Sequence, residues 1–428
     1  MTRSLSRTDV LVLAALLIAF FGVAVALGAY AGFDNWARRD ADDFHLHQVQ
    51  WFRENGFALV YPSTSATTPG FHWLLAGLAE LTGAPEPLAR TDALARIVPA
   101  VLTGVVLVLL YATMRSMGAG PGKSALLVAP FFASSYVWAS AVFPVTESLA
   151  QVGLALMALA LARPQPAAGL FGAGALVATA ARQTFWPATA ALPFLLLQTD
   201  IRGAFRPATI GRMALAAAPA TVFLAVFVVI WGGLSPPEFA HHRAAGLINP
   251  TPFVHAIMIL GVFGLFFLRL SDFSDRTRVG IEIAVCAALA LVVWLVLPLT
   301  PGGEADGRFF SIVWTLAEHA PMLAGRPLTA LGLLFGGFFM MAVAWRRARA
   351  TGAFPGELLL YLCIALAQAG QALSWQRYVE PAALLFLAMS LARLPRPAPF
   401  GDVVLGTVFA GWFALSMARL TDLLGPMG

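Results

Sequence analysis

Residues 9–31 read DVLVLAALLIAFFGVAVALGAYA, an apolar run broken only by the acid at its first position. As a helix rising 1.5 Å per residue it covers about 34 Å, enough for the ~30 Å hydrocarbon core of a bilayer. Arg3 and Arg7 precede it, as basic residues precede the apolar region of a signal peptide. It is longer than that region's usual roughly 7–15 residues, and no small-residue cleavage site leads on to a soluble domain. It is expected to be the first transmembrane helix. Similar runs recur to the end of the 428 residues, which are 59% hydrophobic and 11% charged, with mean hydropathy +0.78. Soluble domains carry about 25% charged residues. The expected fold is therefore all-α, a polytopic transmembrane helical protein forming one domain over 1–428 with no soluble domain.

Apolar windows and loop signals predict about thirteen spans. They lie near 9–31, 93–114, 123–142, 146–162, 167–182, 184–199, 213–232, 253–270, 279–299, 327–345, 356–373, 379–393 and 401–420. Short basic loops such as RSMGAGPGK (115–123), DIRGAFRPATIGR (200–212) and RRARATGAF (346–354) mark the cytoplasmic side. With the N-terminus inside, sixteen of the 27 Lys and Arg residues fall there, among them Arg115, Arg202, Arg269, Arg278, Arg346, Arg347, Arg393 and Arg396. An odd number of spans then gives an N-in/C-out topology. The pI near 9.7 reflects these dispersed loop residues and does not point to nucleic acid. Cys286 and Cys363 both sit inside apolar runs, as packing residues do.

The opposite side differs in kind. All seven histidines (45, 47, 72, 241, 242, 255 and 319) fall there or at the outer end of a helix, as do Asp34, Asp40, Asp42 and Asp43. The first outer loop, about 32–92, is too long for a connector, and long loops are usually functional. It contains two helix-like pieces, DDFHLHQVQWFRENG (42–56) and PGFHWLLAGLAELTG (69–83), expected to lie at the membrane interface. The first is stopped by Gly56 and the second runs from Pro69 to Gly83.

Asp40, Asp42 and Asp43, with His45 at the start of an amphipathic helix, are the catalytic candidates. Solvation alone would explain acids beside a membrane, but it does not explain their clustering next to histidines. Such an acid can serve as a general base. Further outer-side patches are Phe143-Pro-Val-Thr-Glu147, Arg182-Gln183-Thr184, His241-His242-Arg243 with the Asn249-Pro250 turn, and Trp375-Gln-Arg377-Tyr378-Val-Glu380-Pro381, the last expected as a short outer hairpin. Glu147 could simply cap a helix start. Arg182 and Arg377 suit phosphate, to which guanidinium offers a fork of donors, or they form structural ion pairs with Glu147 or Glu380.

These patches resemble, in order, the motifs of the eukaryotic α-1,2-glucosyltransferase that adds the terminal glucose to the dolichol-linked oligosaccharide. Asp42-Asp43-Phe44-His45-Leu-His-Gln48-Val-Gln50 and Thr67-Thr68-Pro69-Gly70 look like that family's D-E-I-F-H-x-P-Q-x-Q and T-T-P-P-G. Phe143-Pro144 with Thr146-Glu147 is similar to F-P…T-D, Arg182-Gln183-Thr184 to R-Q-T, His242 to the region of N-H-Q, and Arg377-Tyr378 with Pro381 to R-Y…P. The chain departs from the pattern in carrying Ala41 for Asp, Asp42 for Glu, His47 for Pro and Glu147 for Asp. Membrane glycosyltransferases of the GT-C type share the wider layout of about thirteen spans, an acidic motif after the first helix and two interfacial helices in the loop.

The resemblance implies a hexosyltransferase on the non-cytoplasmic face, moving a hexose, by the family glucose, from a polyprenyl-phosphate donor to a hydroxyl of a lipid-linked glycan. The reaction implied is an inverting single displacement. The leaving phosphate needs no strong acid, so one carboxylate suffices, which asks less of the protein than inverting hydrolysis does. Asp42 is the expected base, with Asp43 and Asp40 as lesser candidates. Arg377 and Arg182 are expected at the phosphate, with Glu147 orienting and His45, Gln48, Gln183, His242 and Tyr378 binding substrate. No cofactor is required, although His45, His47 and an acid would admit a divalent metal. The expected partners are the donor lipid, a glycan or lipid-linked acceptor and membrane lipid. The expected location is a bacterial inner membrane with a periplasmic site, or an endoplasmic reticulum membrane with a luminal one. A polyprenyl-linked glycan polymerase and a lipid or solute transporter are the rival classes. A transporter would show polar residues at mid-span and duplicated halves, and neither is visible.

Overall fold

In the computed structural model the opening apolar run folds as α1, Arg7–Ala29. The structure describes residues 6–29, 36–163, 167–197, 205–242, 248–297, 299, 311–371, 375–394 and 399–420. Arg3, Asp34, Arg202, Arg243 and Arg396 lie outside the described residues, as does the side chain of His242. The described chain is almost wholly helical, its one sheet being the two-residue strands Met322–Leu323 and Arg326–Pro327.

Among the described residues seven helices are long and apolar enough to cross a membrane: Arg7–Ala29, Ala93–Ser116, Pro207–Trp231, Pro250–Phe267, Arg276–Val296, Leu328–Ala350 and Gly401–Ala418. An integral membrane protein follows directly from these. The expected count of thirteen is not confirmed by these helices, because the remaining expected runs form shorter or broken helices among the described residues. The run at 123–142 breaks into Pro121–Phe132 and Ser135–Val142, bent by 80°, just after Pro130; taken as one broken span it makes an eighth. Four expected spans are short helices, Glu147–Ala162, Ala168–Ala181, Gly356–Gly370 and Gln376–Ala392. The run at 184–199 is not one α-helix either: Pro187 lies in a 3₁₀ segment, Gln183–Ala191, and Pro193 in the six-residue Leu192–Leu197. Each proline removes a backbone donor.

Two compact units emerge, Met1–Ala240 with Phe409–Gly428, and His241–Val408. In both, small residues let helix backbones approach closely, the usual device where lipid removes the hydrophobic drive between helices. In the first, Gly153 of Glu147–Ala162 faces Gly174 and Ala178 of Ala168–Ala181 so closely that a Cβ at Gly174 would fall 2.7 Å from the Gly153 carbonyl oxygen. In the second, Gly336 and Gly337 abut the backbone of Gly261 and Ile257.

Arginines expected at inner helix ends find carboxylates. Arg115 pairs with Asp9 at 2.6 Å in the first unit. In the second, Arg347 pairs with Asp272 at 2.6 Å, Arg393 with Glu357 at 2.6 Å, Arg269 with Asp402 at 3.1 Å and Arg346 with Glu282 at 3.0 Å. Charges at membrane depth persist when paired.

The stretch expected as the first outer loop folds as two helical segments. A helix runs Trp36–Asp40, widens into a π-helical turn at Ala41–His45, and continues as Leu46–Asn55. Gly56, at φ +76°, ends it. This corrects the expected start near residue 42: Asp40 is the last residue of a helical turn rather than a loop acid before the helix. The second expected piece is Gly70–Thr82, closed by Gly83 at φ +62° in the left-handed region. Leu46, Val49 and Phe52 form the stripe by which the first helix packs on Phe71, Leu75 and Ala76 of the second. Burying such side chains contributes roughly 1.5–3 kcal/mol each, and this core fixes the turn that carries the acids.

Candidate active site

The loop after Gly70–Thr82 is built toward the acids. Arg53 donates from Nε to Glu80 at 2.8 Å, and from its terminal nitrogens to the carbonyls of Pro85 and Ala84 at 2.5 and 2.9 Å. Gln50 donates to Glu86 at 2.9 Å, and Asp92 accepts from the amide of Ala89 at 2.7 Å. Held at these points, the loop delivers Arg90, whose Nε donates to both carboxylate oxygens of Asp42 at 3.2 and 3.1 Å. Arg38 stands 3.9 Å from the same carboxylate. Asp42 and Arg90 line an open cleft of about 350 Å³ with Leu46, His47, Gln50 and Leu88.

The three acids are thereby separated. Asp42 faces the cleft between two guanidinium groups, Asp43 is exposed, and Asp40 is half-buried. A π-helical turn is rare and recurs at functional sites, and here it spans both Asp42 and Asp43. His45 turns inward: its Nδ1 lies 2.9 Å from Nε2 of the wholly buried His72. His47 is exposed, its Nδ1 donating to the Asp43 carbonyl at 3.0 Å. The two histidines that would have shared a metal thus face different surroundings. Among the described residues no three of His, Cys, Asp or Glu gather as a metal site.

Gln48 is buried, and its Oε1 accepts from the amide and hydroxyl of Thr64 at 2.9 and 3.2 Å, while the Thr64 hydroxyl also donates to the Phe44 carbonyl at 2.8 Å. Gln48 therefore ties the acidic turn to the segment 57–69. That segment reaches a further element. Thr68 donates from its hydroxyl to the Thr179 carbonyl at 2.6 Å and from its amide to Gln183 Oε1 at 3.2 Å. Gln183 returns a bond from Nε2 to the Ala66 carbonyl at 2.7 Å. Gly70 lies so near the Ala180 carbonyl that a Cβ would stand 2.6 Å from its oxygen. One residue before Gln183, Arg182 donates to Glu147 at 2.5 Å, both side chains buried. Glu147 opens its helix as expected.

The structure thus gathers, within the first unit, four stretches that lie far apart in sequence: the acidic turn, the Thr67-Thr68-Pro69-Gly70 segment, Thr146-Glu147 and Arg182-Gln183. Arg90, Thr64 and His72 belong to the same cluster and were missed. Arg90 sits in an unremarkable EPLART stretch (86–91), and His72 reads as one more residue of an amphipathic helix.

Arg377 belongs to the second unit, where the expected hairpin is instead the opening turn of the helix Gln376–Ala392. Its guanidinium lies 4.3 Å over the Trp375 ring and 5.0 Å over Tyr378, and Nη2 donates to the Tyr378 hydroxyl at 3.0 Å. Gln376 accepts from the Ile312 amide at 2.8 Å and donates to Glu380. Asn249 caps the helix Pro250–Gly264, accepting from the Thr251 amide at 3.1 Å.

No protein-family model matches the chain, and no curated protein does. Among solved structures, ArnT from Cupriavidus metallidurans bound to undecaprenyl phosphate is 13% identical, with 93% of this chain and 78% of that one covered, at a TM-score of 0.39. The same protein in the apo state gives 12% identity, the same coverages and a TM-score of 0.35. The likeness is one of outline, below the level that assigns a family.

Proposed function

We infer that the chain is a membrane glycosyltransferase of the GT-C type, acting on a polyprenyl-phosphate-linked sugar. The observation that carries this reading is the meeting, in one unit, of the acidic turn with the Thr68–Gln183 and Glu147–Arg182 contacts. These are the pieces whose sequences resemble a single transferase family, and inert loops would have no reason to converge on one another.

In this reading Asp42 is the general base. It accepts the proton of an acceptor hydroxyl as that oxygen attacks the anomeric carbon, and the bond to the phosphate oxygen breaks with inversion. Arg90 and Arg38 hold the carboxylate at the cleft edge. Glu147, Arg182 and Gln183 fix the wall against which the Thr67–Gly70 segment rests, and Gln48 and His45 bind or brace from the acidic turn. Arg377, packed over two aromatic rings, is assigned to phosphate, with Tyr378 as its hydroxyl partner, and His242 to substrate. The sugar is a hexose, glucose on the family resemblance, and the acceptor a lipid-linked glycan hydroxyl on the non-cytoplasmic face.

The experiment is to offer the purified protein a panel of radiolabelled polyprenyl-phosphate sugars with membrane lipid extract as acceptor. Consumption of one donor, abolished in Asp42→Asn, is the expected outcome. Turnover of none of them would remove the reading.

A further inference from the structure

Arg53 and Arg90 serve the same stretch of chain and are used differently. Arg53, whose side chain is 5% exposed, donates from Nε to Glu80 and from both terminal nitrogens to the carbonyls of Pro85 and Ala84. Buried structural arginines are satisfied in this way. Arg90 is not. Its Nε donates to Asp42 at 3.2 and 3.1 Å, and neither terminal nitrogen makes a hydrogen bond among the described residues. Nor are those nitrogens buried. The side chain is 24% exposed and lines the open cleft beside Asp42, which is 38% exposed.

The backbone on either side of Arg90 is fixed. Leu88, two residues earlier, is 4% exposed and packs in the core with Phe52 and Leu75. Asp92, two residues later, accepts from the Ala89 amide at 2.7 Å. A guanidinium donates through every nitrogen and accepts through none, so the open edge of Arg90 calls for an acceptor. An oxyanion matches it best: bonds to it are charge-assisted, about twice as strong as those to a neutral oxygen, and phosphate fits the fork. Asp42, the carboxylate lining this cleft, already faces two cations, Arg90 and Arg38, so it does not by itself repel an anion.

We propose that Arg90 is a substrate-binding residue, whose terminal nitrogens hold a phosphate oxyanion of the polyprenyl-phosphate donor while its Nε holds Asp42. The proposal rests on the transferase reading for the lipid that carries the phosphate. The donor is a singly charged phosphodiester. As the acceptor oxygen bonds to the anomeric carbon, the electrons of the breaking bond go to the phosphate oxygen and the acceptor's proton goes to Asp42. Polyprenyl phosphate leaves as a dianion. Negative charge therefore vanishes on the Nε side of Arg90 and grows at its open edge, and one fixed side chain stabilises both ends without reorganisation. Across a guanidinium, from an oxygen on Nε to one on a terminal nitrogen, is about 7 Å. A similar span, roughly 6.5–9.5 Å, separates the two carboxylates that flank the reacting carbon and its nucleophile in inverting hydrolases.

The test measures binding without turnover. The full chain in lipid nanodiscs is titrated with radiolabelled polyprenyl phosphate, with polyprenol as the phosphate-free control. Arg90→Gln should weaken polyprenyl phosphate about ten- to a hundredfold, the size of a charged hydrogen bond, and leave polyprenol unchanged. Arg90→Lys, which keeps the charge but not the fork, should fall between. Asp42→Asn should bind polyprenyl phosphate at least as well as wild type, and adding Arg90→Gln to it should weaken binding by the same factor. If Arg90 serves only to hold Asp42, Arg90→Gln will leave binding unchanged in both backgrounds, and the proposal is overturned. If Arg90→Gln loses polyprenol as well, as a misfolded variant would, Arg90→Lys decides, and wild-type binding there overturns the proposal. Displacement of polyprenyl phosphate by an equal concentration of inorganic phosphate overturns it too, since the cleft then takes free phosphate. A raised KM for the acceptor alone, with polyprenyl phosphate bound normally, gives the cleft to the acceptor sugar instead. If no sugar donor is consumed while phosphate binding depends on Arg90, the transferase reading falls and a site for a phosphate-bearing lipid stands. If donors are consumed and Arg90→Gln binds polyprenyl phosphate normally, only the role of Arg90 falls.

Discussion

Arg182 donates to Glu147 at 2.5 Å across thirty-five residues of chain, with both side chains buried. Sequence alone left two roles open for this arginine, phosphate ligand or partner of Glu147, and the structure shows the pair. Removing one member of a buried pair leaves an uncompensated charge and costs about 3–5 kcal/mol, whereas replacing both with apolar residues is often tolerated. Arg182→Met and Glu147→Leu are each expected to lower the melting temperature sharply, and the double variant to recover most of it. If the pair only holds the fold, the double variant will also recover turnover. Restored stability without turnover is expected, because Glu147 and Arg182 border the segment on which the site is built.

The acids can be ranked by one replacement each. Asp42→Asn should lower turnover by roughly 10²–10⁴-fold, the usual span of a general base, with little loss of donor binding. Asp43 is exposed and Asp40 half-buried at the end of a helical turn, so Asp43→Asn and Asp40→Asn should cost much less. Near wild-type turnover in Asp42→Asn, with another of the three inactive, would mean that the wrong acid has been chosen.

Orientation is testable across the single helix Pro207–Trp231. Arg212 lies in its second turn and Glu238 beyond its C-terminal end, and both are exposed. In a chain with Cys286 and Cys363 replaced by serine, a membrane-impermeant thiol reagent applied to intact cells should label Glu238→Cys and spare Arg212→Cys. The reverse pattern would invert the topology, and with it the face on which the acids work.

Acid should weaken the protein through His72. Its folded-state value lies well below the ordinary 6.5, because burial disfavours the charged ring. Below 6.5 the unfolded chain binds a proton that the folded one refuses, so this contribution is present above 6.5 and is lost as pH falls from there. Each pH unit is worth up to about 1.4 kcal/mol for one such group. Melting temperatures measured from pH 7.5 to 5 should fall more steeply for wild type than for His72→Phe. Equal slopes would show that His72 protonates without penalty.

What the sequence revealed depended on whether the signal was local. The helix at 9–31 and the stops at Gly56 and Gly83 were readable because length, periodicity and glycine act within a few residues. The count of spans was not. Pro130, Pro187 and Pro193 sit in runs as apolar as the unbroken helices, and hydropathy is blind to the donors they remove. The site divided in the same way. Asp42 stood out by clustering and Glu147 by its place at a helix start. Arg90, by contrast, reaches Asp42 over forty-eight residues through a loop whose path is set by Arg53 and Gln50. His72 was hidden for another reason: on an amphipathic helix a histidine facing inward looks the same in sequence whether it meets a leucine or a second imidazole.

The wide turn at Ala41–His45 has a bearing on how such a site can change. A π-helical turn fits an extra residue into one turn, so losing one residue there would return the segment to an ordinary α-helix. Everything before it would then rotate by about 100° against Leu46, Val49 and Phe52, which would stay seated on Gly70–Thr82. The direction in which the carboxylates face is thus uncoupled from the packing that anchors their helix. A one-residue deletion between 41 and 45 would turn the acids out of the cleft without unseating the scaffold. By the same route, insertion of a single residue into a plain surface helix could have aimed them inward.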